Sequence, residues 1–256
     1  MPSIPFAKAS ACGNDFLVID ISHAGPDIAG LTRRLCERHN GVGADGVEWL
    51  VPSKEADIEA RLINADGSEA EVSGNGTRCV AACIAEHGGA KTIRVLTGAG
   101  VKTCELIARH GSTFEFRTAM GTPAVGEELT VNDVRGLKVS TGNPHFVVVS
   151  NEFPELWQTT ADKVARTAHF PQGTNVEFVK VRDRHHIDVR LYERGVGETQ
   201  SSGTGSCASA VAAIHLGRCD SPVQVTTPGG TQTVAWDGEI ILTGPATIVC
   251  TGQFFI

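Results

Sequence analysis

The sequence predicts an α/β (α+β) protein built from two similar halves, and three observations carry that expectation. The chain has 256 residues with 41% hydrophobic content, enough for two cores of about 100 to 150 residues each. It also repeats itself once. Gly13-Asn14 and Ser73-Gly74-x-Gly76 recur as Gly142-Asn143 and Ser202-Gly203-x-Gly205, both at a single offset of 129 residues. Each Ser-Gly-x-Gly is followed by an alanine-rich, amphipathic-looking stretch ending in glycine, the pattern of a helix with its start at the serine.

Taken in order, residues Phe16 to Ile21 and Phe146 to Ser150 read as strands rich in apolar and β-branched residues. Helices follow each of them, near 27–39 and 154–168. RLIN at 61–64 and LYE at 191–193 are strand ends that precede the two Ser-Gly-x-Gly loops. TRCVAACIAEHGG and SCASAVAAIHLGR are the helices that leave those loops. LTGAG at 96–100 and TTPGG at 226–230 are echoing turns between later strands, with a slip of one residue. Halves arranged in this way across a pseudo-two-fold axis are expected to set equivalent loops on opposite sides of one cleft, a favoured place for a ligand.

Composition narrows the function. The formal net charge of -7 is spread without a long single-sign block, which argues against a nucleic-acid footprint and for a small polar substrate. No apolar run approaches the roughly 18 residues of a membrane span, and the start lacks the pattern of a leader, so a cytoplasmic location is expected. The eight cysteines include no Cys-x-x-Cys pair and are expected as reduced thiols. Cys79, Cys83 and His87 share one helical face, but a buried helix face explains them better than a metal site, and no metal is expected.

The paired loops suggest chemistry. A Ser-Gly-x-Gly loop entering a helix leaves free backbone N–H groups at the positive end of the helix dipole, where an anion is stabilised. A substrate carboxylate held by two such loops would present its α-carbon between Ser73 and Ser202. Inversion at that carbon needs a base on one face and an acid on the other. The plain structural alternative is that each serine caps its helix. A nucleotide loop is disfavoured, because GTGSC is not the full G-x-G-x-x-G and the Walker lysine is absent.

Seven motifs run in order along nearly the whole chain: GNDF at 13–16, GVGADG at 41–46, NADGSE at 64–69, GNGTRC at 74–79, GNPH at 142–145, YERGVGET at 192–199 and GTGSCASA at 203–210. Together they resemble the diaminopimelate epimerase family. The resemblance implies two pseudo-symmetric domains, each a mixed sheet wrapped around a central helix, with divisions at 1–117 (joined by the strand 248–256) and 118–247. It implies inversion of one α-centre of LL-diaminopimelate to the meso form without pyridoxal phosphate or any other cofactor, by a homodimer.

By the family pattern, Asn14, Asn64, Asn143, Asn175, Glu193 and Arg194 would hold the substrate, and Gly74, Asn75, Gly203 and Thr204 would contact its reacting end. Arg194 suits a carboxylate, Glu193 an ammonium, and the asparagines a doubly zwitterionic amino acid. Singly, each asparagine also fits a turn and Arg194 a surface ion pair. His145 and Glu193 resemble the pair that tunes the family's catalytic groups.

One departure stands out: the family carries a cysteine before each Gly-x-Gly, and this chain has Ser73 and Ser202. A thiol at a helix N-terminus ionises within working range, whereas a serine hydroxyl is a poor base unless a neighbour takes its proton. Cys79 and Cys207 lie too far into the helices to substitute and are expected to pack. Three readings stay open: an epimerase changed at both sites so that it traps substrate, a natural variant whose serines are activated or that dehydrates or isomerises another amino acid, and a non-catalytic amino-acid-binding protein.

Overall fold

A computed structural model describes all 256 residues, which divide into two compact units, Met1–Thr118 with Gly244–Ile256, and Ala119–Thr243. In the first unit, β1 (Ser3–Ala11) turns directly into β2 (Asn14–Asp20), with Ala11 opposite Asn14. The two residues between them, Cys12 and Gly13, have φ of 52° and 78°, the paired left-handed conformation that matches the twist of a tight hairpin. Helix α1 (Ile28–Cys36) starts where the Asp27 carboxylate accepts from Gly30 N at 2.8 Å, an N-cap.

The chain then returns as β3 (Gly46–Val51) parallel to β2, and β4 (Ile58–Asn64) antiparallel to β3. The short β5 (Glu69–Ala70) leads into α2 (Gly74–Gly88), and β6 (Thr92–Thr97), β7 (Gly100–His110) and β8 (Thr113–Gly121) follow. The C-terminal segment closes this unit by pairing with β1 from Ser3–Phe255 to Ser10–Thr247.

The second unit repeats the order. After β9 (Ala124–Val131) and β10 (Val134–Ser140) come β11 (Pro144–Ser150), α3 (Trp157–Ala165) and β12 (Asn175–Asp183), the last parallel to β11. Next are β13 (His186–Glu193), β14 (Gly197–Thr199), α4 (Gly203–His215), β15 (Val223–Thr227), β16 (Gly230–Asp237) and β17 (Glu239–Phe255). The register repeats too. Phe16 faces Gly46 in one unit, and His145 faces Asn175 in the other.

Strand alternation decides what each face of these sheets touches. Val47 and Trp49 of β3 point to the core under α1, where Trp49 Nε1 donates to Thr32 Oγ1 at 3.0 Å. The opposite face of the sheet packs on α2 with Val18, Leu62, Cys79 and Val80. In the second unit Val176 and Phe178 serve the α3 core while Val147 and Val179 pack on α4.

The two helices that follow the serines differ from their amphipathic reading. Every residue from Gly203 to Ala213 is buried in α4, and all but Ile84 between Gly74 and Ala85 in α2. A helix enclosed by sheet has no solvent face, so it uses Ala, Gly, Ser and Cys all round to let the strands approach. Their C-terminal ends do run into glycines in the left-handed conformation, Gly89 at φ 62° and Gly217 at φ 66°.

Candidate active site

Ser73 and Ser202 occupy the same structural position in their units. Both have extended backbone at the cap of the central helix, and their hydroxyl oxygens accept from Gly76 N at 3.1 Å and Gly205 N at 3.2 Å. Capping engages a lone pair and leaves each O–H proton free to be donated. Gly74 and Asn75 are buried in the first turn of α2, and Gly203 and Thr204 in that of α4. The Asn75 side chain turns inward, accepting from the fully buried Arg78 at 2.6 Å.

Around Ser202 the second unit assembles a dense polar set. The Ser202 hydroxyl lies near the Glu193 carboxylate and works to lower its pKa, and that carboxylate accepts from Thr199 Oγ1 at 2.9 Å. Burial holds Glu193 above the ordinary carboxylate range, and the Thr199 and Ser202 hydroxyls work against that rise. His145 is buried on β11. Its Nε2 lies 2.9 Å from Asn143 Oδ1 and its Nδ1 2.7 Å from Glu177 Oε1. Since an amide oxygen only accepts, Nε2 carries a hydrogen, and Nδ1 faces the Glu177 carboxyl. Burial raises the Glu177 carboxyl, His145 opposes that rise, and Glu177 Oε2 has no hydrogen-bond partner.

The asparagines are spread over both units. Asn14 Nδ2 donates to Asp45 at 2.6 Å, next to the Lys8–Asp15 ion pair at 2.8 Å. Asn64 Nδ2 donates to Ser68 Oγ at 3.0 Å. Asn143 Nδ2 points to Thr204 Oγ1 at 3.4 Å. Asn175 is committed to the backbone at both ends, donating to Pro144 O at 3.0 Å and accepting from Arg194 N at 2.9 Å. It thereby fixes the turn that presents Arg194, whose exposed guanidinium donates to Gln172 O at 3.0 Å. A surface concavity of about 410 Å³ lies beside Arg194, lined by Asp162, Phe170, Gly173 and Tyr192, and it does not include Ser202.

The profile of the family described as Diaminopimelate epimerase matches residues 6–125 and 137–249. The chain belongs to the diaminopimelate epimerase family. A diaminopimelate epimerase of Pelotomaculum thermopropionicum is 38% identical over an alignment covering 97% of this chain and 98% of the relative. One from Ectopseudomonas mendocina is 39% identical, again covering 97% and 98%. Solved structures share the fold at much lower identity. A hydroxyproline epimerase from Agrobacterium vitis has a TM-score of 0.75 at 15% identity, covering 99% of this chain and 91% of the other. A phenazine biosynthesis protein from Bacillus anthracis has a TM-score of 0.76 at 15% identity, with both chains fully covered.

Two residues within this family fold escaped the sequence reading, Glu48 and Glu177. They stand at the repeat offset, on the inward faces of β3 and β12, in the matching triplets Val47-Glu48-Trp49 and Val176-Glu177-Phe178. Both are almost fully buried, at 3% and 1% exposure. Each lies beneath the second glycine of its Ser-Gly-x-Gly loop. A methyl group on Gly76 would fall 1.9 Å from Glu48 Oε1, and one on Gly205 would fall 3.0 Å from Glu177 Oε1. A further match between the two halves was therefore present in the sequence as V-E-aromatic. Cys79 and Cys207 are fully buried in the helix cores, and His87 bonds the Cys83 carbonyl at 2.8 Å.

Proposed function

We propose that this chain is a diaminopimelate epimerase, interconverting LL- and meso-2,6-diaminopimelate for lysine and peptidoglycan precursors. The supporting observation is the match to relatives of that name at 38–39% identity over nearly full length, together with polar residues at the sequence positions the resemblance assigns. The reading places the protein in the cytoplasm as a homodimer acting without a cofactor.

In this reading each unit offers backbone N–H groups in the first turn of its central helix, α2 in one and α4 in the other, as donors for a substrate carboxylate. Backbone donors at a helix start are fixed in place before the reaction, so they stabilise negative charge without reorganising. Asn14, Asn64, Asn143 and Arg194 hold the remaining polar groups of the substrate, and Asn175 keeps Arg194 in place. Ser73 and Ser202 take the roles of base and acid, one for each face of the α-carbon. Glu193 takes up the Ser202 proton, and the His145–Glu177 pair supplies a further proton store.

The serines favour a second reading, in which the same cradle binds an amino acid without inverting it, or dehydrates or isomerises a different one. Proton NMR in deuterated water separates these. The epimerase reading expects loss of the α-proton signal of LL- and meso-diaminopimelate with interconversion of the two. Calorimetric binding of diaminopimelate without any exchange would replace it with the binding protein, and absence of both would redirect the search to another amino acid.

A further inference from the structure

The two halves treat their serines unequally. In the second unit the Glu193 carboxylate lies near enough to Ser202 for the hydroxyl to work against the rise in its pKa. At the matching positions of the first unit stand Asn64 in place of Glu193 and Phe16 in place of His145. Neither can accept a proton from an alcohol. A serine hydroxyl without a base is a poor proton acceptor, so the first unit needs a group that the repeat does not supply at those positions.

One carboxyl in that unit is suitably placed. Glu48 projects from β3 toward the start of α2, and the point a methyl group on Gly76 would occupy is 1.9 Å from Glu48 Oε1 and 3.2 Å from Ser73 Cβ. The carboxyl and the Ser73 side chain thus flank the same small space, kept open by the missing side chain of Gly76. Ser73 Oγ accepts from Gly76 N, and its own proton remains to be donated. Opposite Glu48 on the neighbouring strands are Val18 and Leu62. On α2 the Cys79 thiol feels its charge: burial raises that thiol first and Cys83 next, Glu48 adds to the rise, and the Arg78 guanidinium of the same helix opposes it.

We propose that Glu48 is the proton acceptor for Ser73, supplying the basicity that a cysteine at this position would carry itself. This role rests on the epimerase reading. When the Cα–H bond breaks, its electron pair stays on the substrate's α-carbon and carboxylate. The proton goes to Ser73 Oγ while the Ser73 O–H proton passes to the Glu48 carboxylate. In the return direction the neutral Glu48 carboxyl gives a proton back through the same hydroxyl. Burial supports the role, because it pushes this carboxyl up to about 8, where it binds and releases protons near neutrality.

The test compares α-proton exchange in the unaltered protein, E48Q, E48D, S73C and S73C/E48Q, and follows the carboxyl titration by NMR of protein carrying ¹³Cδ-labelled glutamate. E48Q is expected to lower the exchange rate by about 10²-fold with KM little changed, and to remove a rise in rate with a midpoint near 8. E48D is expected to recover part of the loss. In the S73C background the same change should cost far less, because a thiolate holds its own charge. Equal losses in both backgrounds, or no loss in either, would overturn the proposal. The titration decides independently of turnover: a Glu48 midpoint in the ordinary carboxylate range, or one unmoved by S73A, overturns it too. If the unaltered protein shows no exchange while Glu48 titrates high and responds to S73A, the proton link stands and the epimerase reading alone fails.

Discussion

The buried pair of His145 and Glu177 shows how much chemistry depends on one short contact. At 2.7 Å, with Glu177 Oε2 unpartnered, the two form a hydrogen bond closed off from water. Glu177→Gln keeps the shape and removes the ionisable carboxyl. We expect it to lower α-proton exchange about tenfold or more while KM stays close to its starting value; an unchanged rate would make Glu177 a packing residue. Restoring thiols tests the serines themselves. The double change Ser73→Cys and Ser202→Cys should raise exchange by orders of magnitude, because the helix N-terminus favours a thiolate and does little for an alcohol. No gain would mean that the scaffold around the serines has moved away from epimerisation. The residues legible in the sequence were those in loop motifs, such as Ser73, Asn143 and Arg194, since their types are unusual enough to be recognised in order. Glu48 and Glu177 were not, because one glutamate within an apolar strand takes its meaning from the glycine above it, and that proximity exists only in the fold.

Helices α2 and α4 are where sequence and structure agree best and also where they part. Their starts were legible because Ser-Gly-x-Gly fixes a cap, and both serines do accept from the N–H three residues on. The following strand and helix pairs were legible within a few residues, since α1 (Ile28–Cys36) and α3 (Trp157–Ala165) fall inside the expected ranges. Burial on all sides was not, as alanine, glycine and serine give a weak periodic signal whether or not they meet water. The glycines of the first turn separate packing from chemistry. At Gly205 a methyl group would press on Leu191 Cδ2 at 2.6 Å, an apolar side-chain end, whereas at Gly76 it would meet the Glu48 carboxylate at 1.9 Å. Gly76→Ala is expected to destabilise by about 1–3 kcal/mol through overpacking and to stop exchange. Gly205→Ala, whose nearest contacts are longer, should lose less stability. Urea titrations of both variants check the order, and the reverse order would show that Glu48 has room to move aside.

For the whole molecule, these buried carboxyls predict an unusual dependence of stability on pH. Glu48 moves from an ordinary value of 4.5 in the unfolded chain to about 8 in the fold, through burial. Between those values the folded state binds more protons than the unfolded one, so stability falls as pH rises and levels off above 8. Glu177 and Glu193, also raised by burial, act in the same direction. Carboxyls held low by hydrogen bonds or ion pairs, such as Asp66 beside Ser68 and Asp220 beside Arg184, act at the acid end, where stability is lost as pH falls below their unfolded range. From pH 5 to 8 the raised glutamates therefore dominate among the carboxyls. Across that window the share due to Glu48 is on the order of 4 kcal/mol, at about 1.4 kcal/mol for each pH unit. Urea unfolding of the unaltered protein and of E48Q at pH 5, 6, 7 and 8 measures that share directly. The unaltered protein should weaken across the series and E48Q should weaken distinctly less. Parallel curves would mean that Glu48 is ionised in the fold and that burial between Val18 and Leu62 does not hold its proton.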